Sequence, residues 1–318
     1  MSMNRKKYGF VALLLAAIAV ISLGATNIYV NHNRSENEGE KLRVVTSFYP
    51  MYIATMNIVD GCDSVILENL SEPQTGCLHD YQLTPEDMVL ISKADVLIIN
   101  GGGIENFIED IAEKYPNLTI IEASAGINMQ GENAHMWMNM EDYQRQVENI
   151  ATGLIKVTAG MVHNHSHDQE HNHEEEESLA EHFKENADAY CDKIQKLAED
   201  YVDIRDYAGE KVILFHEAYE YVAGEWGFDD VYTLNLDEER QVSAGEIADV
   251  LEAVKEDGVK FILAEELYGE ETAKSIQKEA DVEVLYLDTC VRGEYEKDSY
   301  LEAMENNLKL LQEALTTP

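Results

Sequence analysis

Basic residues are scarce in this chain. Lys and Arg together number 23 among 318 residues, against 62 Asp and Glu, leaving a formal net charge of −39. A field of that sign repels phosphate backbones and draws in cations, which argues against nucleic acid as a partner. Acidity also serves solubility alone, and composition does not separate the two roles. Cysteine is sparse as well. Cys62, Cys77, Cys191 and Cys290 are the only four, and their spacing is not that of a zinc finger. There is no G-x-x-x-x-G-K-[ST] loop either. Gly101-Gly102-Gly103 follows a strand-like run but lacks G-x-G-x-x-G spacing, so it reads as a tight strand-to-helix turn, and the chain is not expected to hydrolyse a nucleotide.

The first residues differ from all that follow. Arg5, Lys6 and Lys7 precede an apolar run from Phe10 to Leu23, and a basic region ahead of an apolar one marks an export signal. Tyr8 to Val30 is nearly uncharged, and about 20 apolar residues suffice to cross a bilayer. Residues 1–30 therefore read either as a signal peptide or as an N-terminal membrane anchor, and 31–41 as a polar tether. No cysteine stands at the end of the apolar run, which argues against a lipid attached there. Export permits disulfides, and four cysteines allow three pairings between which the sequence does not choose. Cys77 stands two residues before His79, and Cys290 two after Asp288, but a disulfide or a buried thiol is the preferred reading of each.

Hydrophobic patterning alternates between strand and helix. Leu42–Ser47, Val65–Leu70, Val96–Asn100 and Leu118–Glu122 read as strands, with helices over Met51–Val59, Pro85–Ser92 and Ile104–Lys114. The alternation returns as strands at Lys211–Phe215, Phe261–Glu265 and Val284–Leu287, with helices near Ala218–Trp226, Ala244–Asp257 and Glu271–Ala280. Continuous apolar strands between helices predict parallel sheets covered on both faces. The expected fold is α/β with two lobes, each a mainly parallel sheet flanked by helices, joined by one long rigid helix. The expected boundaries are an N-terminal lobe over 42–162, a His/Glu-rich loop over 163–177, the linker helix over 178–206 and a C-terminal lobe over 207–318. Phe183, Ala187, Tyr190, Ile194, Leu197 and Tyr201 recur at helical spacing along the linker, which would span about 40 Å. Tyr300–Leu315 reads as a final helix that packs back on the core.

The ten histidines carry the chemistry. Five of them, His163, His165, His167, His171 and His173, crowd the polar run, while His79, His135 and His216 stand apart. Neutral imidazole is the commonest protein ligand for zinc and related ions. Open parallel sheets bind ligands beyond the carboxyl ends of their strands, and His216 and Asp288 both follow strands there. His79, His135, His216 and Asp288 make a four-ligand set for zinc, with Glu265 or Glu266 as alternative carboxylates. Any one of these histidines alone is more often a hydrogen-bonded core or surface residue, and Trp137 reads as packing beside its neighbour.

The stretches H-D-Y-Q-L-T-P-E-D, K-A-D-V-L-I-I-N-G-G-G-I-E, A-H-M-W-M-N, F-H-E-A-Y-E-Y-V-A and F-I-L-A-E-E-L-Y with L-Y-L-D, taken in order, resemble the solute-binding proteins of zinc and manganese ABC importers. The resemblance runs from about residue 42 to 315. It implies two lobes on a long helix, an ion held in the cleft by His79, His135, His216 and Asp288, and delivery to a membrane permease that has a separate ATPase subunit. It further implies a monomer, located outside the cytoplasm. Zinc is favoured over manganese, because manganese prefers more oxygen ligands and carriers of that ion have a carboxylate where this chain has His216. The histidine-rich run, which in zinc members often falls between the first two ligands, here follows the second; it reads either as a secondary metal trap or as a solvated loop. A rival reading is a zinc hydrolase, with His216 as ligand and Glu217 as general base, although the second histidine of H-E-x-x-H is replaced by Glu220. An adhesin or a zinc buffer is a third.

Overall fold

The computed structural model describes residues 41–72, 78–79, 81–164, 172–236 and 242–317. Residues 1–40, Cys77, His165, His167 and His171 lie outside them, and so does the expected signal peptide or anchor. Within the described residues the first sheet holds β1 (Leu42–Thr46), β2 (Val65–Asn69), β3 (Val96–Ile99) and β4 (Thr119–Glu122), in the order β2-β1-β3-β4. The second holds β5 (Lys211–Leu214), β6 (Asp229–Thr233), β7 (Phe261–Ala264) and β8 (Glu283–Tyr286), in the order β6-β5-β7-β8. β3 runs parallel to β1 and β4, β5 runs parallel to β6 and β7, and β7 runs parallel to β8. The central strands V-L-I-I and F-I-L-A are buried along their whole length, as aliphatic strands covered on both faces must be.

Local chemistry sets the helix ends. In α1 (Tyr49–Ile58) a proline occupies the first turn. α2 (Pro85–Ile91) starts on a capping box, in which the Thr84 hydroxyl accepts from the Asp87 N–H and the Asp87 carboxylate accepts from the Thr84 N–H, satisfying two otherwise orphaned donors. α3 (Ile108–Lys114) begins four residues later than the helical pattern predicts. The cause is Glu105. Its buried carboxylate turns inward to accept from Ser47 Oγ, Asn100 N and Gly101 N, so the chain closes a turn there before it can wind. Gly101 makes that turn possible, with φ of 83° and a position where a Cβ would meet the Glu122 side chain at 2.4 Å.

In the second half, α6 (Tyr219–Trp226) ends on left-handed Gly227, and α7 (Ala244–Asp257) runs from a Ser243–Glu246 capping box to left-handed Gly258. α8 (Glu266–Gln277) and α9 (Ser299–Thr316) complete the set. β6 is an element the sequence pattern does not announce. Its first residues, Asp229 and Asp230, are exposed on an edge strand whose pairing with β5 slips between Val212 and Ile213.

Two long helices lie between the sheets, α4 (Met140–Asn164) and α5 (Asn172–Asp200). Cys191 of α5 meets the Gln144 carbonyl near the start of α4 at 3.7 Å, so the pair runs antiparallel. The helix expected at 178–206 is α5, but it starts inside the stretch read as a loop and gives way after Asp200 to a 3-10 turn, Val202–Tyr207. α5 packs on α1 and α4, and α9 returns across the boundary to touch α1, α5 and the 3-10 turn. The C-terminal lobe expected at 207–318 thus gives its last helix to the helical layer of the first.

Glu225 of α6 joins the lobes by accepting from the Met140 N–H at the start of α4, 3.0 Å away. Burial pushes its carboxyl up to about 7, helped by Asp142 and Glu141 and opposed by that N–H and by Arg205. A carboxyl raised on folding favours the native state at low pH and weakens it as pH rises through the folded value. Glu225→Gln is therefore expected to match the parent protein below pH 4.5 and to exceed its stability at pH 8. The interval from 4.5 to about 7, at about 1.4 kcal/mol per pH unit, sets the gain at of order 3 kcal/mol. Urea denaturation at the two pH values checks this.

Candidate metal centre

Each sheet has a point where the connections part to opposite sides: between β1 and β3 in the first, between β5 and β7 in the second. Loops leaving the strand ends at such a point enclose a crevice. His216 comes two residues after β5, Glu265 directly after β7, and Asp288 two residues after β8. In the first lobe His79 lies between β2 and α2, and His135 between β4 and α4. Asn100, the residue after β3, donates to the Ala134 carbonyl at 3.0 Å and so fixes the chain beside His135. Asn106 donates to the His79 carbonyl at 2.7 Å.

His79 and His135 approach each other from separate loops, their Nε2 atoms 3.3 Å apart. Glu217 Oε1 lies 3.7 Å from His79 Nε2 and 3.5 Å from His135 Nδ1. Among the described residues, His79, His135 and Glu217 form the one group of three or more metal-ligating side chains whose donor atoms all fall within 4.8 Å of one another. The His216 ring stands edge-on to His135 with centroids 5.1 Å apart. Its Nδ1 accepts from the Ala218 N–H at 3.0 Å, which leaves the hydrogen of the neutral ring on Nε2. His135 is 0% exposed. Burial, then the nearby His216 and His79, hold its pKa well below the usual histidine range, so it stays neutral. Burial also raises the Glu217 carboxyl, with Glu220 adding to the rise and His79 opposing it.

Asp288 stands outside that group of three. Its Oδ1 accepts from the Cys290 N–H at 2.7 Å, and the Asn307 amide brackets its main-chain N–H and carbonyl at 2.7 Å each. Its flanks are tied to the histidines' neighbours: Tyr219 OH donates to the Leu287 carbonyl at 2.6 Å, and Trp137 Nε1 to the Thr289 carbonyl at 2.9 Å. Poor hydration raises the Asp288 carboxyl, while the Cys290 N–H and Arg292 pull it back. Of the alternative carboxylates, Glu265 lies 3.4 Å from the Arg292 guanidinium, and Glu266 is exposed at the head of α8. Cys62, Cys191 and Cys290 are free thiols, and burial pushes the Cys290 thiol up, which suits a packed side chain rather than a ligand.

From the sequence alone Glu217 has a role only as the general base of a hydrolase. Its adjacency to His216 was the sole signal, and spacing alone did not show that its oxygen would reach the other lobe. Trp137 does more than fill space, since its ring packs 5.0 Å from both His135 and Phe48 while its N–H crosses to Thr289.

Two nitrogens each about 2.0–2.1 Å from a tetrahedral zinc lie about 3.3–3.4 Å apart. The His79–His135 separation of 3.3 Å matches that edge. Two parallel α/β lobes with imidazoles and carboxylates gathered at their strand ends define a metal-binding solute-binding protein of the ABC-importer class. The chain belongs to the family described as ZnuA, zinc-uptake complex component A, periplasmic, whose model matches residues 44–314. It is 27% identical over 332 residues to the high-affinity zinc uptake system protein ZnuA of Bacillus subtilis (strain 168), covering 95% of this chain and 97% of that one. It is 27% identical over 293 residues to the iron-binding protein YfeA of Yersinia pestis, covering 87% of each. In fold it matches the structure of the SBP FpvC from Pseudomonas aeruginosa in complex with Mn2+, with a TM-score of 0.71, 24% identity and coverage of 86% of this chain and 99% of that one.

Members of the family are solute-binding proteins and not enzymes, which removes the hydrolase reading, and they work with ABC permease and ATPase components. Among the described residues no helix is long and apolar enough to cross a membrane. Trp137→Phe keeps a ring in place but strands the buried Thr289 carbonyl, so it is expected to cost about 1–3 kcal/mol of stability. Chemical denaturation of the metal-free protein measures that loss.

Proposed function

We propose that this protein captures Zn2+ outside the cytoplasm, in the cleft between its two lobes, and delivers it to an ABC permease served by a separate ATPase. The ligands are His79, His135, His216 and Asp288. The observation that carries this reading is the pair of Nε2 atoms 3.3 Å apart, from loops of the first lobe, facing a strand-end loop of the second. Three imidazoles and one carboxylate suit zinc, whereas manganese takes more oxygen. His216 has one adjustment to make: Nε2 is free to bind only once the ring lets go of the Ala218 N–H, a loss of about 1 kcal/mol that coordination offsets. His163, His165, His167, His171 and His173 form a secondary, weaker trap for the ion, apart from the cleft site.

A manganese or iron carrier is the second reading, favoured by one observation: the Glu217 oxygen sits with the two imidazoles. Together with Asp288 it would shift the donor set toward oxygen.

Titration calorimetry with Zn2+ and Mn2+ separates the two. Deleting residues 163–173 is expected to leave one tight zinc site. In that background His135→Ala or His216→Ala should weaken zinc by more than about 100-fold, the upper range for losing even an outer-shell partner. Glu217→Gln should spare zinc under the first reading and abolish preference for manganese under the second. A loop-deleted protein with no tight zinc site would overturn the assignment.

A further inference from the structure

We propose that Asn133 is a positioning residue of the metal site: it fixes His135 with Nε2 as the metal-facing nitrogen and ties that ring to the second lobe before any ion arrives. The inference deepens the metal-capture reading and rests on it. Asn133 is buried, and every polar atom of its side chain is used. Its Oδ1 accepts from the His135 main-chain N–H at 3.1 Å and lies 2.9 Å from His135 Nδ1. Its Nδ2 donates to the Glu217 carbonyl at 2.8 Å and to Glu220 Oε2 at 3.0 Å.

Those partners leave the amide one orientation. A main-chain N–H only donates, and a main-chain carbonyl only accepts, so oxygen and nitrogen of the Asn133 side chain are not interchangeable. The His135 Nδ1 opposite that oxygen must then carry the ring hydrogen. The lone pair is left on Nε2, the atom 3.3 Å from His79 Nε2. A divalent ion needs this tautomer, and an outer hydrogen bond on the other nitrogen is what usually fixes it.

The same residue bridges the lobes. Asn133 belongs to the loop ahead of α4, whereas Glu217 and Glu220 lie at the start of α6. Tyr221 OH donates to the Asn133 carbonyl at 2.7 Å and accepts from the Gln130 N–H at 3.2 Å. Gly224 leaves room for the Gln130 side chain, whose Nε2 would stand 2.9 Å from a Cβ there. Positions 217, 220, 221 and 224 fall at the spacing of one helical face, so the loop of the first lobe is seated along that face. His135 and the His216–Glu217 turn are held at a set distance by this contact, and an ion binding between them need not pull the lobes together.

Three variants test this: Asn133→Ala, Asn133→Asp and Tyr221→Phe. The readouts are zinc affinity against a competing chelator, melting temperature of the metal-free protein, and the 15N imidazole spectrum of His135, which reports which nitrogen bears hydrogen. Asn133→Ala is expected to lower zinc affinity about 10- to 100-fold and to lose the Nδ1–H signature. Asn133→Asp keeps the acceptor for His135 but not the donor to Glu217, so it should restore the signature and only part of the affinity. Tyr221→Phe loosens the loop without touching the ring, and should lower the melting temperature while leaving the signature intact. A wild-type affinity or a wild-type signature in Asn133→Ala would overturn the inference, as would affinities that simply track melting temperature across all three. Because the spectrum is read without metal, failure of zinc capture itself shows differently: a parent protein with no tight zinc site but an Asn133-dependent signature overturns the transport reading alone.

Discussion

The His135 imidazole has no surface open to solvent, and the arrangement of the site follows from that constraint. A buried ring must have both nitrogens accounted for, since neither can fall back on water. One faces Asn133 and the other faces His79. Burial also keeps the ring neutral, which is the form that binds a metal. Trp137, packed 5.0 Å from it, belongs to the first lobe and reaches the Thr289 carbonyl of the second, while His216 closes on it from the second lobe. Enclosing this one ring therefore also joins the two halves of the molecule.

That joining is repeated on the opposite side of the crevice. Tyr49 donates to the Glu294 carbonyl and Asn57 to the Lys297 carbonyl, at 2.8 Å each. Tyr295 accepts from Asn69 at 2.9 Å, donates to Ser71 at 3.1 Å, and packs its ring against Tyr52. Ser71 lies at the root of the loop that carries His79, and Tyr295 follows Asp288 by seven residues, so this clasp couples the two loops. Tyr300 OH donates to the Trp137 carbonyl, and its ring lies on Tyr143. A wide opening between lobes would break several buried hydrogen bonds together, each costing about 1–3 kcal/mol if left unmade.

Much of this was legible in the chain itself. Both parallel sheets could be read because V-L-I-I and F-I-L-A are unbroken aliphatic runs, which only a strand covered on both faces accommodates at that length. β6 was not legible, because its acidic opening pair suits an exposed edge as well as a loop. The delayed start of α3 was hidden too: periodicity registers Ile104 and Phe107 as helical but carries no sign that Glu105 will turn inward to three donors. For the candidate site, the sequence singles out His216 by its place after a strand, and His79 and His135 by standing apart from the histidine-rich run and by the family resemblance, whereas it gives no metal-site role to Glu217 or Asn133. Their roles depend on which loop of one lobe meets which helix of the other, and no local pattern encodes that.

The exposure of the site is lopsided, and this bears on how a carrier can both hold and give up an ion. The His79 side chain is 44% exposed while that of His135 is 0%. Asp288 is exposed as a residue, but its carboxyl group is shielded from water and so raised, with the Cys290 N–H and Arg292 opposing the rise. His135 thus forms the buried end of the cluster, and His79 its exposed end. Under the proposed function, an ion leaving past His79 trades that ligand for water first, so no step requires stripping a buried group with nothing to replace it. A carboxylate with a guanidinium in reach is also less costly to separate from its cation, because the attraction lost is partly restored by the fixed charge beside it. Glu265 lies 3.4 Å from that guanidinium, and Arg292 also donates to Tyr268 OH at 2.9 Å, so the cation is anchored by groups other than Asp288. Under that proposal, tight holding belongs to the buried His135 and ready exchange to the exposed His79, which lets one site have both.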